Sequence, residues 1–494
     1  MSKRLKQILI AGAALLLLVA AMIILIVTKK NNEDIGISSE VDEDEAVELI
    51  NGELSDLVSV EITNGGETYL IEQNFDNLAV GANDEDLVFE IKELSGVSVD
   101  SDSIYSTAKT AKLLMANSTI EENAQDLGKY GLDKPAAEVK IAFSNSKTYN
   151  YYVGNETPSG SQYYIMFKGE SKVYAVAETY VSSFFNDKNS YIDCTLVAPV
   201  SEYPTVNELK VTRKDLSKPI TVTPLSDEMR AIATSLDDPS VTSSFSDYMI
   251  TSPVTATIDV SKQENFIFGL FGKSADGAVK AYPTEEDKAN AGLNDPLCTV
   301  EMTVDGKTTK LIVGNEFKSD DYQNYYYVML EGIDVLFYAS ENTLYWKTVQ
   351  PTDFMTRMLP APYIYNLDYI KVSYDGKDYT LNVDGNADSC NYTYEDKTLD
   401  ESNFQSFCEY LYKSCISGIN YDYTTDKQPD LKVEYVFDDK SISMITIGFY
   451  ETDTRTVYIS QNGSVDFTTT GAYYDRLKEN VQRLINGETV LLTY

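Results

Sequence analysis

NAQDLGKYGLDKP, residues 123–135, and TEEDKANAGLNDP, residues 284–296, are two versions of one thirteen-residue stretch. How they are read decides the fold. Asn123 and Thr284 are residue types that cap a helix N-terminus. Each has an aspartate three places on, Asp126 and Asp287, where a carboxylate meets free backbone N–H groups. Gly131 and Gly292 can take the left-handed conformation that ends a helix, and Leu132 and Leu293 supply the apolar contact that accompanies it. Pro135 and Pro296 forbid continuation and open a strand. The stretch therefore spells cap, short helix, stop, begin strand. Each shared residue has a backbone task, and none needs a catalytic one.

The likeness extends outward. AEVKIAFSNSKTYNYYVGNE (137–156) pairs with CTVEMTVDGKTTKLIVGNE (298–316); both read as strand, turn, strand, then Val-Gly-Asn-Glu, with Gly154, Asn155, Gly314 and Asn315 as turn residues. QYYIMFKGESKVYAVAE (162–178) pairs with YYYVMLEGIDVLFYASE (325–341), a hairpin turning at Gly169 or Gly332. The offset stays between 160 and 163, which marks one duplicated unit. A weaker third copy, LKVEYVFDDKSISMITIGFY (431–450), keeps two strands, with Pro429 in the place of Pro296 and Gly448 read as the counterpart of Gly314. It is followed by RTVYISQNGSVDFTT and a helix, GAYYDRLKENVQRLI.

Each unit opens with a hairpin of alternating residues: 57–73 about Gly-Gly, 206–224 about Asp-Leu-Ser, and 367–385 about Asp-Gly. A helix is expected after each, at SIYSTAKTAKLLMA, SDEMRAIATSL and ESNFQSFCEYLYKSC. Proline-marked boundaries fall at 198–204 and 360–362. The expected fold is α+β: tandem units of antiparallel β-hairpins with short helices, preceded by one transmembrane helix. The domains are 1–30 (anchor), 31–55 (acidic stalk), 56–197 and 204–358 (units one and two), and 364–494 (divergent unit three).

The anchor is read from ILIAGAALLLLVAAMIILIVT, residues 8–28, which carries no charge. As a helix these residues span about 31 Å, a bilayer core. The run is longer than a signal-peptide core, has no small-x-small site after it, and has no cysteine near its end. Lys3, Arg4 and Lys6 precede it, while an acidic stretch follows Lys29 and Lys30, so the N-terminus is expected in the cytoplasm and the bulk outside. The chain has 77 acidic and 40 basic residues, a net charge of −37, and the first thirty residues contribute five of the basic ones and no acid. The rest repels nucleic acid and anionic lipid.

Histidine is absent. That removes Ser-His-Asp and Cys-His catalysis, HExxH zinc sites and histidine pH switches. The five cysteines contain no CxxC. Cys408 and Cys415 lie about 10.5 Å apart along a helix, too far to bridge. Cys390 could reach one of them; buried free thiols are the favoured reading for Cys194, Cys298, Cys390, Cys408 and Cys415.

Gly-Leu-Asp-x-Pro, two strands, Val-Gly-Asn, then Tyr-Tyr-x-Met resembles the bacterial family known as domain of unknown function 4340, over 57–185 and 206–346 and more loosely over the last third. The N-terminal anchor is typical of that family. The resemblance implies no agreed activity. Some members accompany exporters of the gliding-motility ABC type, which implies an accessory role in the envelope.

Ser106 and Lys109 have SxxK spacing, but so do Ser144 and Lys147, and no Lys-Thr-Gly follows. Glu156 and Glu316 could present carboxylates in paired loops, though glycosidases need two within about 5–10 Å and these lie in separate units. The loops that follow end in Tyr163, Tyr164, Tyr325 and Tyr326, candidate contact residues for sugar or peptide by stacking. Acidic loops at Asp320, Asp321 and 384–388 do not fit an EF-hand, and Walker, dinucleotide and zinc motifs are absent, so no catalytic residue, metal or cofactor is expected. The first functional expectation is a non-enzymatic binding or accessory component of the envelope. It would hold the bilayer through residues 8–28 and contact an ABC transporter or another envelope protein. A wall hydrolase or transferase using carboxylates, and a solute-capturing lobe, are the alternatives.

Overall fold

A computed structural model describes residues 46–75, 83–226, 245–319, 322–412, 415–452 and 455–494. The apolar run at 8–28, most of the expected stalk, the Asp320–Asp321 pair and nearly all of the helix expected at 226–236 lie outside these residues. Among the described residues no helix is long and apolar enough to cross a membrane.

The chain builds three nine-stranded sheets, with few helices among the described residues. The first contains β1 (Val47–Asn51), β2 (Leu57–Asn64), β3 (Glu67–Asn74), β4 (Val88–Ile91), β5 (Leu113–Glu121), β6 (Ala137–Phe143), β7 (Thr148–Glu156), β8 (Gln162–Phe167) and β9 (Val173–Ala177). The second contains β10 (Val206–Arg213), β11 (Ile220–Pro224), β12 (Phe245–Ser252), β13 (Ala256–Asp259), β14 (Gly277–Ala281), β15 (Cys298–Val304), β16 (Lys307–Lys318), β17 (Asn324–Leu330) and β18 (Val335–Ser340). The third contains β19 (Leu367–Tyr374), β20 (Lys377–Asn386), β21 (Ser389–Tyr394), β22 (Lys397–Thr398), β23 (Gly418–Ile419), β24 (Leu431–Phe437), β25 (Ile445–Glu451), β26 (Thr456–Gln461) and β27 (Ser464–Thr470).

The strand orders coincide. β4-β3-β2-β6-β7-β8-β9-β5 in the first sheet matches β12-β11-β10-β15-β16-β17-β18-β14 in the second and β21-β20-β19-β24-β25-β26-β27-β23 in the third. Only the ninth strand differs: β1 lies beyond β5, whereas β13 and β22 extend the opposite edge. The central pairs run antiparallel throughout, as in β2–β6, β10–β15 and β19–β24. Alternation sets the inner face. Val60, Ile62, Val139 and Ile141 are buried in the first sheet, Leu209, Val211, Val300 and Met302 in the second, and Ile370, Val372, Val433 and Tyr435 in the third.

What covers that face differs. In the second sheet Trp346 donates its indole N–H to the Phe266 carbonyl (2.8 Å), and Phe266 stacks on Phe354 at 4.0 Å. In the third, the helices Glu401–Tyr412 and Gly471–Ile485 pack together through Tyr410 and Tyr473, whose rings are 5.0 Å apart and nearly parallel. One end of each central strand is tied back by a polar side chain of a different kind. Asn64, opposite Ala137, donates to the carbonyls of Phe184 (2.8 Å) and Asn186 (2.7 Å). Arg213, opposite Cys298, donates to Trp346 (3.1 Å) and Val349 while pairing with Asp215. Tyr374, opposite Leu431, accepts from Gln482 (2.6 Å).

Several expectations need correction. Val47–Asn51, inside the expected stalk, is a strand, because its backbone completes the sheet edge against β5. The helix expected at 103–116 is Ser101–Ala111, and the residues after it enter β5, pairing with both β1 and β9. The proline-marked boundary at 360–362 does not separate compact units. One unit takes the described residues up to Glu90 with Tyr105–Asn186; the other takes Ile91–Ile104 and Asp187–Tyr494, and so holds both later sheets. Leu359 N–H bonding to Tyr412, and Ile416 N–H bonding to Arg357, carry the backbone of that second unit across the proline mark.

Candidate functional site

The two copies of the opening stretch meet their own Val-Gly-Asn. In the first sheet, Leu132 N–H returns to the Leu127 carbonyl (3.1 Å) with Gly131 at φ 68°. In the second, Leu293 N–H returns to Lys288 (2.9 Å) with Gly292 at φ 73°. This is the six-to-one closure of a helix end on a left-handed residue. The preceding helix is Glu285–Asn290, where Thr284 and Asp287 cap one another. Its counterpart is one 3-10 turn, Gly128–Tyr130, so no helix begins at Asn123; Leu-Gly-Lys-Tyr, with a helix-weakening glycine, stands where the second stretch has Lys-Ala-Asn-Ala.

Each left-handed glycine lies against the asparagine of the same sheet. A Cβ on Gly131 would collide with the Asn155 side chain, and one on Gly292 with Asn315. Reciprocally, a Cβ on Gly154 would strike the Tyr130 carbonyl, and one on Gly314 the Ala291 carbonyl. Asn315 locks the contact, its N–H donating to Ala291 (2.7 Å) and its Nδ2 to Asn290 (3.1 Å). Pro135 and Pro296 set the exit, where Ala136 N–H meets Val153 (2.8 Å) and Leu297 N–H meets Val313 (2.9 Å). Gly-Asn is also where the register slips by one residue, between Val153 and Glu156 and between Val313 and Glu316. These are β-bulges, which bend a strand and redirect its side chains.

The clasp covers a small apolar cluster on the outer sheet face. In the first sheet this holds Ala124, Tyr130, Leu132, Met166 and Val173, and in the second Ala291, Leu293, Met329 and Leu336. Beside the first cluster Glu121 accepts from Tyr130 (2.6 Å) and Lys129 (2.7 Å); those bonds, Lys129 foremost, hold its carboxyl below the usual range.

Among the described residues the third sheet has no such clasp, and Gly448 is not the counterpart of Gly314. Cys298 faces Val313, a separation of 15, whereas Leu431 faces Phe449, a separation of 18. The hairpin turn is three residues longer, so an equal sequence offset lands on the wrong residue. Gly448 stands opposite Ser460, where the other sheets pair Tyr152 with Met166 and Ile312 with Met329.

The four tyrosines expected in contact loops lie on strands. Tyr163 is half-buried against Phe185 (5.1 Å), and Tyr164 meets Tyr130 edge-on at 4.8 Å. Tyr326 is 4% exposed, with Lys347 bonded to its hydroxyl (2.8 Å); Tyr325 is half-buried. The polar stretch before each pair hides the strand start. Ser106 and Lys109 are exposed on the helix Ser101–Ala111, and Ser144 bonds Asp56 (3.0 Å) in a turn. Glu156 and Glu316 are exposed, each following its bulge.

All five cysteines are free thiols, and burial pushes Cys298 and Cys415 up to about 12. Among the described residues no cluster of three or more His, Cys, Asp or Glu could hold a metal. An open cleft of ≈ 510 Å³ is lined by Asp100, Asp102, Asp193 and Cys194. Asp100 and Asp193 are held below the usual carboxyl range chiefly by bonds from Ser103 and from the Thr195 backbone. Asp100 caps the helix Ser101–Ala111, and Asp193 holds a turn by accepting from Thr195 N–H. The tying residues Asn64, Arg213 and Tyr374 escaped the sequence reading; the signal was a polar side chain at the inner-face end of each opening strand.

Residues 90–252 match the family described as Domain of unknown function (DUF4340). The match runs from β4 to the end of β12, the second part of one sheet and the first part of the next. No curated protein and no solved structure matches the chain.

Proposed function

We propose that the protein is a membrane-anchored, extracytoplasmic, non-enzymatic binding or accessory component of the cell envelope, working with an ABC-type transporter. Residues 8–28 are its anchor and the three sheets its outward portion. The observation that carries this reading is that the repeated signature is spent on architecture. Gly131, Gly154 and Asn155, with Gly292, Gly314 and Asn315, close on one another around backbone carbonyls, and the Glu156 and Glu316 that follow lie exposed in separate sheets. The uncharged 21-residue run and the acidic remainder support placement outside the membrane.

The test is brief crosslinking of the intact protein in gently solubilised membranes, followed by affinity purification. A stoichiometric transporter permease or ATPase is the expected companion. Recovery of the bait alone, at matched expression and with residues 8–28 intact, overturns the transporter reading.

A further inference from the structure

The second sheet carries something on its outer face that the first does not. Phe317 on β16 stands opposite Tyr325 on β17, Tyr327 opposite Tyr338 on β18, and Tyr338 opposite Gly277 on β14. All four rings are half-buried. Phe317 stacks on Tyr327 (4.6 Å, 26°) and on Tyr325 (5.9 Å, 27°). Tyr338 crosses that stack at 88° to Tyr325 (5.3 Å) and 75° to Phe317 (6.1 Å). Gly277 makes room for it, since a Cβ there would come within 2.5 Å of the Tyr338 hydroxyl and 2.6 Å of its ring. The result is a corner with two ring surfaces at right angles.

The fold does not require this corner. Register places Thr157, Gln162, Tyr164 and Ala175 at the same positions of the first sheet. The surroundings are negative. The Asp276 carboxylate accepts from Ser340 N–H (2.7 Å), and Ser340 faces Tyr325. Burial, then Tyr325, Asp276, Cys194 and Asp187, keep the Tyr338 phenol above its usual range. Elsewhere lysines lie over buried tyrosines: Lys129 4.6 Å over Tyr130, Lys347 4.3 Å over Tyr326, and Lys478 4.9 Å over Tyr474. Among the described residues no such cation lies over Phe317, Tyr325, Tyr327 or Tyr338.

We propose that the corner formed by Phe317, Tyr325, Tyr327 and Tyr338 binds a quaternary ammonium group. A cation is attracted to ring faces by their quadrupole, and more strongly where carboxylates add to the field. A primary ammonium brings three N–H donors that need acceptors. A quaternary one has none to satisfy and fits walls made of rings, with Asp276 supplying long-range attraction. This inference goes beyond the envelope reading and does not depend on it.

The experiment is saturation-transfer NMR on the full chain in a maltoside detergent. Choline chloride is titrated at constant ionic strength, with butylammonium chloride as comparator. Saturable transfer to the choline N-methyl protons is expected, with butylammonium weaker. Tyr338→Ala and Tyr325→Ala each weaken choline about 5-fold or more, and Tyr338→Phe keeps it within about 2-fold. Asp276→Asn weakens it about 2- to 3-fold, the loss shrinking as salt rises. Thermal melts establish that each variant is folded, and Tyr325→Ala decides if Tyr338→Ala is not. Absence of saturable transfer from choline, choline affinity unchanged in the folded alanine variants, or tighter binding of butylammonium would each overturn the proposal.

Discussion

The second and third sheets share a strand order but not a motif. In the second, Ile312 and Met329 form an apolar pair on the outer face, and the clasp of Gly292, Leu293, Gly314 and Asn315 closes over it. In the third, Gly448 faces Ser460 at that place, β25 runs without a bulge, and Pro429 lies beside the glycine. The difference separates two roles. The sheet is specified by the inner alternation and the hairpin turns, which all three copies have. The clasp is specified by what the outer face must cover, so a copy with a polar outer pair has none.

The largest expected effect tests the inner face. Arg213→Met leaves the buried carbonyls of Trp346 and Val349 without a donor and should cost about 3 kcal/mol; Asn64→Ala should cost less, about 2, and Tyr374→Phe about 1. Urea unfolding of the three variants checks that ranking, and equal losses would overturn it by showing that the three ties are equivalent devices. Next comes the clasp. Gly314→Ala drives a Cβ into the Ala291 carbonyl and should cost about 2 to 3 kcal/mol, against about 1 for Gly448→Ala, whose nearest obstacle is a side chain, the Ser460 hydroxyl. A Gly448→Ala loss as large as that of Gly314→Ala would mean the third sheet has a clasp of its own. Leu293→Ala, opening the cluster beneath, should lower stability by about 2 kcal/mol by the same measurement.

The smallest effect is electrostatic. Bonds from Lys280 and Thr284 lower Asp287 to about 2, so the folded state holds its proton less tightly than the unfolded chain does. Its stabilising contribution is present above an unfolded pKa of about 3.9 and is lost as pH falls toward 2. Asp287→Asn should lower the melting temperature slightly at pH 7, and the difference from the parent protein should shrink as pH falls from about 3.9 toward 2.

How much of this could be read beforehand follows from the same split. Local chemistry is legible: Thr284 with Asp287, a glycine before leucine, and proline at a strand entrance each act within a few residues. Alternation at Val60, Ile62, Val139 and Ile141 is legible for the same reason. Register is not. Gly448 sits at nearly the offset that a third motif would need, and only the longer turn between β24 and β25 displaces it. Long-range ties are not legible either. Arg213 reads as a surface charge beside Asp215, and nothing near it in the chain announces the carbonyls of Trp346 and Val349. The start of β5 reads as helix because Leu113–Ala116 continues an amphipathic run, and its partners lie some sixty residues away on either side.

The limits of the family match carry a last consequence. A fragment cut at 90 and 252 would retain β6 without its neighbour β2, and β10 without its neighbour β15. Two strands from sheet interiors would become bare edges, with unpaired N–H and C=O rows open to any other strand in solution. Such a fragment should aggregate on expression even though every residue in it is native. The block that is passed on as a sequence is thus offset from the block that folds, and a truncation needs to follow the sheets.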